Sequence, residues 1–315
     1  MRVLYVNSTI YDFLTATIIE GLNELSQEAP IQLVTTAASN YSRFWQVWPR
    51  QKIYREKRSF DLVILGTNVG VDLGLFWDVA RSGRTICIDG ADTPEFIYAA
   101  SDFTLYFKRE LYRIAFDNIR PCPFAIERRW WSALSSDIRH LLAACFGPTT
   151  TERAQTLQFL KQLGWPSLKI GGVPMKRYQS LCGVLLGQCS LSTWRRFRFS
   201  VGHNSAYYKI LRSSLVSLSV PGAGIDTGRY WEILGSGAAL ACPKNKLQIP
   251  NALVPGQHYF EYASLDELRE VVSRAQTERK PIEAMRARAR EHCLRYHTTK
   301  ARARYVIQAF NECRV

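Results

Sequence analysis

Asp226, Thr227, Arg229 and Glu232 stand at spacings that suit a phosphorylated ligand. They belong to the stretch SLVSLSVPGAGIDTGRYWEILGSGAALACP, residues 214–243. An apolar strand runs into Pro221, Gly222, Ala223 and Gly224, a turn whose small side chains let a ligand approach the backbone. Asp226 or Thr227 can then cap a helix beginning near Gly228. The first turn of such a helix offers unpaired N–H groups and the positive end of the helix dipole, which suits a diphosphate. Arg229 lies in that turn, where a guanidinium adds a bidentate phosphate contact. Glu232 follows three residues later on the same face, and its carboxylate can accept the two hydrogen bonds of a ribose diol. Gly235, Ser236 and Gly237 stop the helix before the next apolar run. A glycine turn by itself also marks any ordinary βαβ unit. The whole order of strand, small-residue loop, capped helix with Arg and Glu, and second strand is far more specific.

Other residues offer complementary chemistry. Asp89 and Asp92, with Glu95 behind them, end the run TICID, where a loop would face a ligand cleft. Residues 1–125 contain no histidine, so a general base from this half would be a carboxylate, and Asp89 and Asp92 are the catalytic candidates. Thr149 and Thr150, in FGPTTTER, follow another apolar run and offer hydroxyl donors to phosphate, with Arg153 as a cation. Lys176 and Arg177 could border a nucleotide base. His140, His203, His258, His292 and His297 show no metal-ligand spacing, and no D-x-D triad is present. No metal and no resident cofactor are expected. P-loop and G-x-S-x-G signatures are also absent, which leaves kinase and hydrolase readings without support.

Alternating elements must carry these residues. MRVLYV, IQLVTT (31–36), FDLVILG (60–66), TICIDG (85–90) and FTLYF (103–107) read as strands, with TATIIEGLNELS and GLFWDVARSG as helices between them. PCPFAIERRWW (121–131) reads as a crossover. The alternation restarts with DIRHLLAACFG (137–147), TERAQTLQFLKQLG, SLKIGG (167–172), SLVSLSV (214–220) and AALACP (238–243). SLDELREVVSRA carries an S-x-x-E capping box at Ser264 and Glu267, and a basic helical tail follows from Pro281. The pattern predicts an α/β chain of two Rossmann-like domains facing a cleft, with ligands beyond the carboxyl ends of the strands.

Composition narrows the classes. The chain of 315 residues is 47% hydrophobic and 22% charged, an ordinary globular balance. No apolar run approaches the roughly 18 residues that span a bilayer, and the start reads as a strand, so a cytoplasmic protein is expected. Eight scattered cysteines without C-x-x-C spacing read as reduced core residues. A formal charge of +14 attracts anions: nucleic acid, anionic lipid or phosphorylated small molecules. The densest positive segment of the N-terminal half is SRFWQVWPRQKIYREKR (42–58), where Arg50, Lys52, Arg55 and Lys57 are interleaved with Trp48 and Tyr54. It suits an anionic acceptor (glycan, lipid-linked or nucleic acid) or peripheral membrane contact. WRRFRF (194–199) is a smaller example.

The segment around RYWEILGSG resembles the donor-binding motif of GT-B glycosyltransferases. The resemblance is closest to the CgeB-like (spore maturation protein) glycosyl transferase group 1 family, and the stretch is similar to that of exostosin-type enzymes. It takes in PGQHYFEYASLDELREVV and EHCLRYHTTKARARY and, in the first half, DGAD, ASDFTLYFKREL and PCPFAIE. It implies a GT-B fold, a metal-independent hexosyltransferase and a nucleotide-sugar donor, a UDP-sugar first. It implies a donor site of Gly222, Gly224, Asp226, Thr227, Gly228, Arg229 and Glu232, with Glu232 on the ribose. It also implies an acceptor domain over 1–127 and a donor domain over 128–295. A helix over 296–315 completes the chain, for which a course back to the N-terminal domain is one option. One departure stands out. Many retaining members carry an acid eight positions before the glutamate, and here that position is Gly224. The rival readings are a nucleic-acid-binding protein, a glycosyltransferase acting on DNA, and a GT-B-like fold that has lost catalysis.

Overall fold

A computed structural model describes residues 1–10, 12–38, 46–67, 69–81, 84–165, 167–170 and 206–313. Lys176, Arg177, His203, the WRRFRF stretch and the start of the 42–58 segment lie outside the described residues.

The first half forms a six-stranded sheet from β1 (Arg2–Val6), β2 (Gln32–Thr35), β3 (Leu62–Gly66), β4 (Thr85–Asp89), β5 (Leu105–Lys108) and β6 (Ile119–Pro121). Every pairing is parallel and the order is β2-β1-β3-β4-β5-β6. β1, β3 and β4 are apolar along nearly their whole length because helices cover both faces of a parallel sheet. The helices are α1 (Phe13–Leu25), α2 (Arg50–Arg55) and α3 (Leu73–Val79). β6 takes in Pro121, the first residue of the segment expected to be a crossover; its ring costs nothing at the sheet's edge.

The second half holds β7 (His140–Ala144), α4 (Thr151–Leu163), β8 (Leu168–Ile170), α5 (Ala206–Arg212), β9 (Ser214–Leu218), α6 (Gly228–Ser236), β10 (Ala239–Pro243), β11 (Phe260–Tyr262) and α7 (Leu265–Thr277). Its five strands are parallel in the order β11-β10-β9-β7-β8. Ser264 caps α7, accepting from Glu267 N at 3.2 Å, while Glu267 Oε2 accepts from Ala263 N at 2.7 Å. This is the capping arrangement the S-x-x-E spacing predicts. The two strands missed by periodicity, β6 and β11, are three residues long each, too short to show an alternation.

The basic tail folds as α8 (Arg279–Tyr296) and α9 (Thr299–Glu312). α9 packs on α1 of the first domain, so closely that a side chain at Gly21 would overlap the Thr299 carbonyl. Ile18 and Leu22 of α1 share one core cluster with Ala303, Val306 and Phe310 of α9 and with Trp130 and Trp231. Ile126 N donates to His297 O at 2.8 Å, tying the two chain crossings between domains to each other. One apolar body therefore joins the domains and holds their loop edges at a set distance.

Candidate donor and acceptor site

α4 and α6 follow the paired strands β7 and β9, so both helices begin at the same edge of the second sheet. Thr150 caps α4, accepting from Arg153 N at 3.3 Å, and Thr227 caps α6, accepting from Tyr230 N at 3.4 Å. Thr227 Oγ1 also bonds Ser219 Oγ at 2.9 Å. Of the two capping candidates, Thr227 does the work. Arg153 bridges the two loops: Nε and Nη2 donate to Val220 O at 3.2 and 3.0 Å, and Nη1 donates to Thr149 Oγ1 at 2.9 Å. A Cβ on Gly222 would sit 2.9 Å from Arg153 Nη2, so the glycine makes room for that guanidinium.

Arg153 and Arg229 both lie against the Phe146 ring, at 5.8 and 5.4 Å from its centre. Burial, and behind it the positive charge of Arg229, depress Arg153 below the usual arginine range. Arg229 Nε is buried with no hydrogen-bond partner among the described residues. Two cations and two helix N-termini thus converge with no carboxylate salt-bridged to either guanidinium among the described residues. An anion placed there gains two charge-assisted partners and relieves their mutual repulsion. Glu232 stands one turn further along α6. Tyr207 donates to its Oε2 at 2.7 Å, and Oε1 would lie 3.8 Å from a Cβ on Gly228. Burial raises the Glu232 carboxyl above its ordinary range, against the opposing pull of Tyr207 and Arg229.

Asp226 and Gly224 serve a different purpose from the one their neighbourhood suggests. Asp226 is buried, with Oδ2 accepting from Phe124 N and Oδ1 from Trp231 Nε1, both at 2.7 Å. Burial lifts its carboxyl to about 6. Its own N–H and that of Ile225 donate to the buried Glu110 carboxylate at 2.9 and 3.1 Å, and Arg109 Nη1 donates to Asp226 O at 2.8 Å. A side chain on Gly224 would overlap Glu110 Oε1. The two residues therefore form the joint between the domains, and both oxygens of Asp226 are spent there instead of on a ligand. The position where an acid was looked for is a glycine because the first domain's Glu110 fills the space.

The first sheet turns its own C-terminal edge toward this joint. Asp89 is fully buried: Lys108 Nζ lies 3.1 Å from Oδ1, Ala91 N donates to Oδ1 at 2.9 Å, and Tyr106 OH and Ile97 N donate to Oδ2 at 2.5 and 3.2 Å. So enclosed, it anchors the loop after β4 and does not face a substrate, contrary to the catalytic expectation. Asp92 is largely exposed and is held by Arg109 Nη2. Beside it stands Asp12, which sequence reasoning missed. It caps α1, accepting from Thr15 N at 2.6 Å, and its Oδ2 would lie 3.0 Å from a Cβ on Gly90. Burial raises its carboxyl, Arg109 pulls it down, and Asp92 pushes it up again. The next residue, Phe13, packs on Phe124 with ring centres 4.6 Å apart, and one ring atom would lie 3.3 Å from a Cβ on Gly228 at the start of α6. Asp12 thus stands across the domain boundary from the start of α6. The signal in the sequence was an Asp three residues before Thr15 at the first strand-to-helix turn, a capping pattern in the place where α/β sheets bind ligands.

The basic-aromatic segment folds partly as α2 at the β2 edge of the first sheet. Arg50 pairs with Asp72 at 3.0 Å and lies over Tyr54, while Lys52 Nζ sits 3.8 Å from the Trp48 ring centre. Arg50, Lys52, Arg55 and Lys57 are all exposed. They are not gathered with Asp12 and Asp92. Among the described residues, no three His, Cys, Asp or Glu side chains are grouped as a metal ion would need.

Residues 153–308 match the family model described as glycosyl transferase-like. No curated protein matches by sequence. Among solved structures, HepE of Anabaena in complex with UDP and glucose is similar with a TM-score of 0.63 and 10% identity, covering 99% of this chain and 100% of that one. A glycosyltransferase from Rickettsia africae ESF-5 also scores 0.63, at 8% identity, over 99% of this chain and 98% of the other. The lipopolysaccharide outer core galactosyltransferase WaaB scores 0.54 at 11% identity, over 99% and 100%. These likenesses establish the fold: two Rossmann-like domains in the GT-B arrangement.

Proposed function

We propose that this chain, with a GT-B fold and a glycosyl transferase-like match over residues 153–308, transfers a hexose from a nucleoside diphosphate to an acceptor hydroxyl without a metal ion. The donor is a UDP-sugar, as HepE's complex with UDP and glucose suggests. The observation that carries this reading is the convergence of Arg153, Arg229 and the starts of α4 and α6 on one spot beside Phe146. Glu232 accepts the ribose hydroxyls through the oxygen Tyr207 leaves open. In the transfer, the acceptor oxygen bonds to the anomeric carbon as the bond from that carbon to the phosphate oxygen breaks. The electron pair leaves with the diphosphate, which the two arginines and helix ends stabilise in place of a cation. The acceptor proton passes to a carboxylate of the first domain; Glu110 and Asp89 are already held by hydrogen bonds, which leaves Asp12, beside Asp92, for that role. The acceptor is anionic or membrane-associated, in keeping with the charge of +14 and the exposed cations of α2. Within the group 1 enzymes, the motifs are nearest to the CgeB-like families.

The test is a thermal-shift and product assay against UDP-, GDP-, dTDP- and CMP-sugars in EDTA. A shift with one nucleotide family, and turnover that survives chelation, is expected. No shift with any nucleotide, together with salt-sensitive binding to duplex DNA, would favour a nucleic-acid-binding protein instead.

A further inference from the structure

Glu232 has a neighbour that binding a ribose does not by itself require. The Tyr207 hydroxyl donates to Glu232 Oε2 at 2.7 Å, across the packed pair of helices α5 and α6. Both residues keep part of their surface open, as groups beside a ligand must. A hydroxyl donating to a carboxylate makes one of the stronger, charge-assisted hydrogen bonds. It occupies one oxygen and thereby fixes the direction of the other. Oε1, the oxygen left over, lies on the side of Gly228, where a Cβ would stand 3.8 Å from it. Gly228 opens α6, so the free oxygen is turned toward the end of the helix that holds Thr227 and Arg229.

Tyr207 is itself held from a third element, the crossing between the domains. Its ring meets the Trp130 ring edge-on, with centres 5.9 Å apart and planes at 86°. Trp130 is buried, and its N–H donates to Glu127 O at 2.9 Å. The same crossing packs on α6, where a side chain at Gly235 would lie 3.1 Å from Trp130 Cβ. Burial acts most strongly on the Glu232 carboxyl and raises it. Tyr207 on α5, Arg229 on α6 and Arg129 on the crossing each pull it back down. Cys145, a buried thiol at the end of β7, lies near the tyrosine.

We infer that Tyr207 is a positioning residue for the nucleotide: it fixes the Glu232 carboxylate so that the free oxygen meets the ribose diol. This role rests on Glu232 being the ribose acceptor. Without the hydroxyl, the carboxylate is free to turn, and it loses a hydrogen-bond donor that favours its charged form.

Calorimetry of the full chain with UDP and with 2′-deoxy-UDP, from about pH 5 to 8, tests the role. The two ligands carry the same phosphates, so the ratio of their affinities cancels the phosphates' own titration. The parent should prefer UDP about tenfold, the worth of a hydrogen bond to a charged group. Tyr207→Phe removes only the hydroxyl and keeps the ring on Trp130, and its melting temperature verifies the fold. In this variant the preference should shrink to about twofold, with 2′-deoxy-UDP bound nearly as in the parent. What preference remains should fade at a higher pH than in the parent, because Glu232 takes up its proton earlier. In a Glu232→Gln background, Tyr207→Phe should change the preference by about twofold at most. A Tyr207→Phe variant with the parent's preference and acid limb, or an equal loss in the Gln background, overturns the role of Tyr207 alone. A parent that binds UDP and its deoxy analogue alike overturns the ribose role of Glu232 and this one with it. A parent that binds neither sinks sugar transfer as well.

Discussion

The two sheets present opposite chemistry at their C-terminal edges. The second-domain edge gathers Arg153, Arg229 and two helix starts around Phe146, with Glu232 set back along α6. The first-domain edge gathers carboxylates, Asp12 and Asp92. A leaving diphosphate needs the former, and a hydroxyl that must lose its proton needs the latter. Between them lies a joint of buried charges, Arg109, Glu110 and Asp226, that touches both edges. The division teaches where to look for each defect: loss of charge on one side should spoil donor binding, and on the other it should spoil turnover.

The sharpest way to break this division is Asp12→Asn. Asparagine caps a helix as well as aspartate does, so α1 and the fold should stay intact. Turnover should fall by about 10²–10⁴-fold, the usual worth of a positioned general base, with UDP affinity unchanged. Equal losses in turnover and UDP binding would show that the two edges are not separate. Arg229→Ala should weaken UDP by about 1.5–3 kcal/mol, the range for a hydrogen bond to a charged group, and leave uridine nearly untouched. Calorimetry with the two ligands decides it, and matched losses would remove the phosphate role.

A smaller effect sharpens the role of Glu232. Burial raises its carboxyl, so on acidification it takes up a proton earlier than an exposed glutamate. The ionised form accepts ribose hydroxyls. UDP affinity should therefore be full above the raised pKa and fall as pH drops through it. Glu232→Gln should bind about 1 kcal/mol more weakly and lose that acid limb in a pH titration of Kd. A parent with flat pH dependence would leave the ribose role without support. The smallest change is expected from Arg50, Lys52, Arg55 and Lys57 replaced together by Ser. These exposed cations act through screened long-range charge, so acceptor KM should rise only a few-fold and its salt dependence flatten. Donor KM, measured in the same assay, should hold steady; if it moves as much as acceptor KM, the segment does not belong to the acceptor side.

The long elements were legible because burial on both faces writes itself as unbroken apolar runs: β1, β3, β4, β7, β9 and β10 all fall inside stretches read as strands. The loop before α6 was legible as well, since a small-residue turn, a capping Thr and a basic first turn are local features. Asp89 was misread because a strand-end acid looks the same whether it faces solvent or a lysine. Here the β4–β5 register sets it opposite Lys108, one strand away and nineteen residues later in the chain. Asp226 was misread for a similar reason: its partners, Phe124 and Glu110, come from the other domain. Asp12 escaped notice because the run leading to it reads only as a strand and a helix start.

What the sequence by itself determined is therefore local: the strand and helix alternation, the caps at Thr227 and Ser264, and the cation at Arg229 in a first helical turn. Each depends on residues within a few positions of one another, where propensity, periodicity and capping act directly. Only the tertiary structure decided which acids are spent on the frame and which face the cleft. It also decided that Arg153 and Arg229 share one ring and that Gly224 must yield its space to Glu110. Those outcomes depend on strand order and on the packing of α9 back onto α1, which bring together residues as far apart in the chain as Gly21 and Thr299.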